Sequence, residues 1–504
     1  MFCRKNIVYS SLFCQNRVCY SSLFLQKFSI FATNSVDKAY FDIMYFRRQI
    51  DAFLQEWKDN PRRKPLLLRG ARQIGKSSSL RHLGETFDYF IEVNFETRRE
   101  LRQIFREESD VREIASRLGT IMRTPVIEGK TLLFLDEIQA CPEALHSLWT
   151  FKENMPGFHV AAAGSLLEFT LREMPSFGVG RIRSMFMYPM SFDEFLMASA
   201  YDEWVKVKRD ADYTHPLPPE LHQVLVSQFR SFLMVGGMPA SVAAWIETHD
   251  YMQCIEEQED IQQTYYDDFA KYRGKIDPLL LRNTLRSVVM QTGRKFVYSH
   301  VEGGYRSDEV KRALTMLCDA GIVKMVQHSA GNGLPLGAEV NLKFRKYHYL
   351  DSGLLLRVMD MDIGSAQPLT DLILTGAAEE LVNKGPIAEM VAGWEIVKSL
   401  PPRTDHDLYY WENIANGADS EVDYLMTQDM RVVPVEVKAG VTGKMKSLRL
   451  FMRRKHLLHA KRCSLENFGI LEFVDAEDTS NPTASKRIYI HPLYCLSTIG
   501  LPVD

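Results

Sequence analysis

Apolar residues recur at helical spacing from about Met44 onward, where Ile50, Phe53, Leu54 and Trp57 mark one face of an amphipathic helix. Short continuous apolar runs follow at Leu66–Leu68, Thr131–Leu135 and His159–Ala163. Each predicts a strand, and Thr131–Leu135 reads as one buried on both faces. Ser78, Leu80 and Leu83 begin a helical pattern after the first run. Further on, Ser307–Leu317 carries apolar positions at helical spacing, with Ser307 or Asp308 as cap. Ala320–Val323 ends that helix and starts a strand, which the turn Gly331-Asn332-Gly333 separates from the next. Near the C-terminus, Ser420–Met426 and Val432–Lys438 read as two strands joined at Gln428-Asp429.

The chain has 504 residues, enough for roughly three domains. Hydrophobic residues at 46% and charged residues at 25% exclude disordered, collagen-like and coiled-coil classes. Lys plus Arg number 61 against 64 Asp plus Glu, a net charge of -3, so no global basic excess points to nucleic acid. Local patches stay open. Polar residues interrupt every apolar run, which predicts no membrane span. Eight cysteines without a CxxC pair predict reduced thiols and a cytoplasmic protein. Residues 1–43 stand apart, rich in Ser, Phe and Cys. They read as a targeting peptide, a poor secretory signal, or an over-extended start ahead of a fold that begins near Met44.

The first run leads into Gly70-Ala71-Arg72-Gln73-Ile74-Gly75-Lys76-Ser77, a complete G-x-x-x-x-G-K-[ST] between strand and helix. Gly70 and Gly75 would let successive N–H groups face phosphates, and the following helix N-terminus adds partial positive charge. Lys76 would reach the β- and γ-phosphates of ATP and Ser77 would ligate Mg²⁺, with Arg72, Gln73 and Ser78 as further nucleotide contacts. The second run ends in Asp136-Glu137, a Walker B pattern: Asp136 to hold Mg²⁺, Glu137 to orient or deprotonate the attacking water. The third ends in Gly164-Ser165, which makes Ser165 a γ-phosphate sensor or simply a helix cap. Arg181, or Arg183, is the candidate cationic finger, acting within the chain or across a subunit interface, with solvated surface the alternative.

These residues, with Phe134–Gln139, Gly180-Arg181, Tyr188–Phe195 and Gly236–Pro239, resemble a family of prokaryotic ATP-binding proteins. That family joins an AAA-type ATPase domain to a C-terminal domain of unknown function with a restriction-endonuclease-like core. The similarity runs from about Met44 to the C-terminus and implies ATP binding.

In the middle of the chain, helix, helix and hairpin form the pattern of a winged helix, with Lys311 and Arg312 on the second helix and Lys343, Arg345 and Lys346 on the following strand. DNA binding and protein contact are both open. In the last part, Asp423 on one strand and Glu436-x-Lys438 on the next follow the restriction-endonuclease-like pattern. Period-two spacing puts Glu436 and Lys438 on one face beside Asp423, where two carboxylates can hold Mg²⁺ and the lysine can activate water. The resemblance adds Glu389 as a further ligand, with Glu379 and Glu380 behind it. A solvent-facing charged strand would look the same.

The expected class is α/β, in three domains after the extension. These are an AAA-type P-loop ATPase with helical lid (44–265), a winged helix (266–350) and a restriction-endonuclease-like domain (351–504). Tyr213–Pro219, with three prolines, is expected as a loop in or beside the lid. The function expected is Mg²⁺-dependent ATP hydrolysis coupled to a DNA-binding or nuclease-like module. The alternative is a nucleotide-dependent switch with an inactive nuclease-like domain and a protein partner. AAA-type relatives often form rings, so a homo-oligomer is a further option.

Overall fold

The three apolar runs pair with one another in a parallel sheet, as strands buried on both faces do. The structure is a computed structural model that describes residues 45–164, 180–271, 274–363, 384–413, 420–440, 445–480 and 482–502. The chain divides into two units, Met1–Tyr45 and Phe46–Asp504, and every described helix and strand lies in the second. The expected extension over 1–43 lies outside the described residues, as do Ser165, Glu379 and Glu380.

Strands β1 (Leu66–Arg69), β2 (Tyr89–Asn94), β3 (Thr131–Asp136), β4 (His159–Ala163) and β5 (Arg183–Phe186) form this sheet in the order β2-β3-β4-β1-β5. All four pairings are parallel. Helices Lys76–Gly84, Val111–Met122 and Pro142–Asn154 lie between successive strands. Strands β1 and β3 therefore sit on either side of β4, and their carboxyl ends carry the loop at Gly70 and the Asp136-Glu137 pair.

Helices Phe192–Ala198, Asp202–Asp210, Pro219–Val235, Pro239–Thr248 and Tyr251–Ala270 follow. The first has a capping box: Glu194 N–H donates to Ser191 Oγ and Ser191 N–H to the Glu194 carboxylate. The proline-rich loop ends as Pro219 opens the third of these helices, where its missing N–H costs nothing.

The expected helix–hairpin is present as helix Ser307–Asp319, β6 (Val323–Ser329) and β7 (Val340–Tyr349). Its cap is Arg306, one residue before Ser307 and two before Asp308. Arg306 has no side-chain acceptor, so the carboxylate of Glu309 reaches back to the Arg306 N–H at 2.8 Å. Strand β6 also pairs in parallel with β8 (Leu408–Glu412). A hairpin alone is marginal in water, and here it extends a larger sheet. That sheet continues through β9 (Glu421–Gln428), β10 (Arg431–Val437), β11 (His459–Ser464), β12 (Gly469–Val474) and β13 (Ser485–Pro492). Its order is β12-β13-β11-β10-β9-β8-β6-β7. The β9–β10 turn is Asp429-Met430, one residue on from the expected position; both have positive φ, the two-residue turn that matches the strands' twist.

One apolar cluster runs from Ile50 through helices Phe192–Ala198 to Tyr251–Ala270 and on to Ile499, so the parallel sheet and the C-terminal sheet share a core. The segment Tyr188–Phe195 is the joint. Phe192 N–H donates to Glu395, Lys398 Nζ to Met190 O, and Tyr188 Oη to Asp405. Asp193 accepts from Lys208, both wholly buried, and Lys208 also donates to Tyr494 O. No described helix is long and apolar enough to cross a membrane. The five described cysteines are free.

Candidate functional site

Gly70 closes β1 at φ +141, and a Cβ there would stand 2.2 Å from Met187 O, so only glycine lets the chain turn beneath the loop. Gly75, also at positive φ, precedes helix Lys76–Gly84, whose N-terminus has no side-chain cap. Lys76 is buried, and its Nζ donates to Gly70 O at 2.9 Å and Ala71 O at 2.5 Å. Burial lowers its pKa to about 8, against the attraction of Glu137 and Asp136. Ser77 Oγ donates to Asp136 Oδ1 at 3.0 Å, which brings the two expected Mg²⁺ oxygens together across 59 residues. Burial, then the charge of Glu137, pushes the Asp136 carboxyl up, while the bonds from Ser77 and Asn94 oppose the shift.

Glu137 has left-handed backbone at the end of β3 and accepts from Gln139 Nε2 at 2.6 Å. Two residues with no assigned role thus support the pair: Gln139 holds Glu137, and Asn94 Nδ2 donates to Asp136 Oδ2 at 3.0 Å. Asn94 ends β2 beside Asp136 in the register, a neighbour that only the sheet order reveals.

Other expected residues lie apart from this constellation. Arg72 is turned to Asp268 at 3.3 Å, and its carbonyl accepts from Tyr265 Oη at 2.9 Å, both on helix Tyr251–Ala270. Arg181 lies half-exposed over Trp149, 3.6 Å from Glu153, and Arg183 is an exposed residue of β5. The contacts of Arg181 are with helix Pro142–Asn154 and not with the loop.

A second group of charges is gathered in the C-terminal sheet. Glu389 on helix Lys384–Lys398, with Glu421 and Asp423 on β9, offer carboxylate oxygens within 4.8 Å of one another. Glu436 on β10 stands close enough for the Asp423 charge to raise its pKa, so the expected pair lies beside this cluster. Glu436 is turned to Lys438 by an ion pair, and its Oε2 is buried without a hydrogen bond. Asp423 accepts from Val437 N–H at 2.6 Å. Glu421 was unassigned, although it stands two residues before Asp423 and so on the same face. Burial, then neighbouring carboxylates, pushes the Glu436 carboxyl up. Lys346 requires a correction. It is wholly buried rather than part of a basic surface, and it pairs with Glu389 at 2.8 Å and with Glu421. Lys311, Arg312 and Lys343 are exposed.

Residues 62–196 match the family model of an AAA domain. Residues 226–363 match a Domain of unknown function (DUF8612), and 384–475 another (DUF4143). No curated protein matches. Among solved structures, a Signal Transduction ATPase with Numerous Domains (STAND) protein with a tetratricopeptide repeat sensor from Pyrococcus horikoshii is similar at 12% identity and a TM-score of 0.24. The match covers 72% of this chain and 46% of that one, so the chain spans just under half its length. At that TM-score the likeness carries no weight. The AAA domain match and the parallel sheet agree on a P-loop nucleotide-binding domain of the AAA type.

Proposed function

We propose that this protein hydrolyses ATP with Mg²⁺ at the carboxyl ends of β1 and β3. The observation that carries the reading is the meeting of Ser77 and Asp136 beside Lys76 and Glu137. Hard oxygens from a hydroxyl and a carboxylate, 3.0 Å apart, fit Mg²⁺. Bound with the nucleotide, that ion would neutralise charge on the phosphates. Lys76 exchanges the carbonyls of Gly70 and Ala71 for phosphate oxygens, and the helix N-terminus adds its N–H groups. Glu137, oriented by Gln139, accepts the proton of the attacking water. Lys76→Ala is expected to abolish nucleotide binding, and Glu137→Gln to keep binding and stop turnover. Unchanged hydrolysis in both would overturn the assignment.

A switch reading is favoured by the way the loop is held. Arg72 is tied to Asp268 and Tyr265, and Gly321 stands so close that a Cβ there would lie 3.2 Å from Ala71 N. Nucleotide that rearranges this loop would bias both the lid and the start of the hairpin. Partner binding that is equal with ATP, with ADP and without nucleotide would exclude it.

For the C-terminal region we propose a divalent-cation site at Glu389, Glu421 and Asp423, in a restriction-endonuclease-like arrangement with Glu436 and Lys438. The buried Oε2 of Glu436, which has no partner, supports this reading. DNA is the substrate class to test, with the exposed Lys311 and Arg312 of a winged helix as contacts. Metal-dependent nicking that persists in Lys438→Ala would place any cleavage elsewhere.

A further inference from the structure

Lys346 lies on β7 opposite Val326, and its side chain is entirely buried. Its ammonium reaches three elements at once: Glu389 on helix Lys384–Lys398, Glu421 on β9, and the ring of Tyr410 on β8, 5.0 Å away. On the neighbouring β10, Lys438 pairs with Glu436 Oε1, and Glu436 Oε2 is buried without a donor.

The oxygens of Glu389, Glu421 and Asp423 lie within 4.8 Å of one another. Two ligands across one ion lie about 4.2–4.8 Å apart at ordinary Mg²⁺ and Ca²⁺ ligand distances. An ion at that point would share Glu389 and Glu421 with the Lys346 ammonium, and two cations cannot use the same oxygens without strong repulsion.

We propose that Lys346 is a built-in counter-ion that closes this site, so that a divalent cation and the Lys346 ammonium compete for the same carboxylates. The proposal rests on reading the cluster as a metal site. The lock comes from the hairpin and the carboxylates from helix Lys384–Lys398 and β9, so opening the site means drawing β7 or its lysine away from that helix and strand.

The test titrates Mn²⁺ into the full chain without nucleotide and follows free Mn²⁺ by electron paramagnetic resonance. Wild type, Lys346→Met, Asp423→Asn and the double variant are compared. Lys346→Met is expected to bind an additional Mn²⁺ at least about 100-fold more tightly than wild type, and the double variant to lose it. Equal, Asp423-dependent binding in wild type and Lys346→Met would overturn the lock and leave the metal site standing. No Asp423-dependent binding in either would overturn the metal site, and the lock with it. If Lys346→Met is too unstable to purify, Lys346→Gln serves in thermal melts. Mn²⁺ should raise its melting temperature by several degrees and leave that of wild type unmoved. An equal shift in both proteins would again refute the lock.

Discussion

Nucleotide affinity should fall as pH rises above about 8, and the reason lies in how Lys76 is held. The loop buries this ammonium against the carbonyls of Gly70 and Ala71 and lowers its pKa from 10.5 to about 8. The difference corresponds to about 3 kcal/mol against the charged form. Phosphates would restore the charge, so above pH 8 the protein must take up a proton as ATP binds. Affinity should then drop by up to tenfold per pH unit between about 8 and 10. Stability follows the same linkage. Between pH 8 and 10.5 the unfolded chain holds one more proton than the folded one, so stability rises with pH through that window. Relative to Lys76→Met, the wild type without nucleotide should gain up to about 3 kcal/mol across it. The difference between the two proteins cancels the other groups that titrate there. Fluorescent-nucleotide titrations from pH 7 to 10, paired with urea unfolding of wild type and Lys76→Met, measure both effects. The variant should bind at least about 100-fold more weakly, because the phosphate charge loses its buried partner. An affinity flat across pH 8–10, with a constant stability gap, would show that the loop does not desolvate Lys76.

Other perturbations test other parts of the structure. Gln139→Ala should lower ATP turnover about tenfold or more while nucleotide binding holds, since its amide donates to Glu137; an equal loss of binding would show a general collapse. A Cβ at Gly237 would stand 2.2 Å from Met190 O, so Gly237→Ala should cost about 1–3 kcal/mol in urea unfolding. Lys208→Met removes one of the two cations on buried Asp193 and leaves Arg209 at 3.1 Å, and a loss of about 1.5–3 kcal/mol is expected in the same assay. His491 is buried with Nδ1 facing Tyr213 Oη and Nε2 facing Cys495 O, and burial lowers its pKa to about 3. Its neutral form is favoured, so stability should fall by up to about 1.4 kcal/mol per pH unit below pH 6.5, and His491→Gln should flatten that slope.

What was legible in the sequence is local. The loop from Gly70 to Ser77 is contiguous, and the runs that became β1, β3 and β4 are apolar because both their faces are covered. The helix at Ser307 and its hairpin were legible through period and turn residues. Strand β5 was not, because it is a half-exposed edge with no apolar run, and so Arg183 looked like a free cation. Glu421 was within reach by the same alternation that selected Asp423, but the Glu-x-Lys spacing drew attention to Glu436. Lys346 was beyond reach. In the sequence it ends a basic run, Lys343 to Lys346, and only the parallel pairing of β6 with β8 carries it inward.

That pairing also changes what a nucleotide-dependent switch would move. Gly321, two residues past the end of helix Ser307–Asp319, stands close to the loop's Ala71, and β6 begins two residues later at Val323. Strand β6 is bonded to β7, which carries Lys346, and to β8, which belongs to the sheet of the carboxylates. Any displacement of Ala71 therefore acts on an element with two attachments, one to the lysine's strand and one to the sheet it plugs. A shift of the whole hairpin with β8 would leave the Lys346–Glu389 pair intact, whereas a shift of β7 against β9 would break it. The two cases separate in one measurement on the wild type: Asp423-dependent Mn²⁺ binding with and without a non-hydrolysable ATP analogue. Tighter Mn²⁺ binding in the ATP-bound state means that the loop's movement reaches β7. Unchanged binding confines it to helix Tyr251–Ala270, through Arg72 and Asp268.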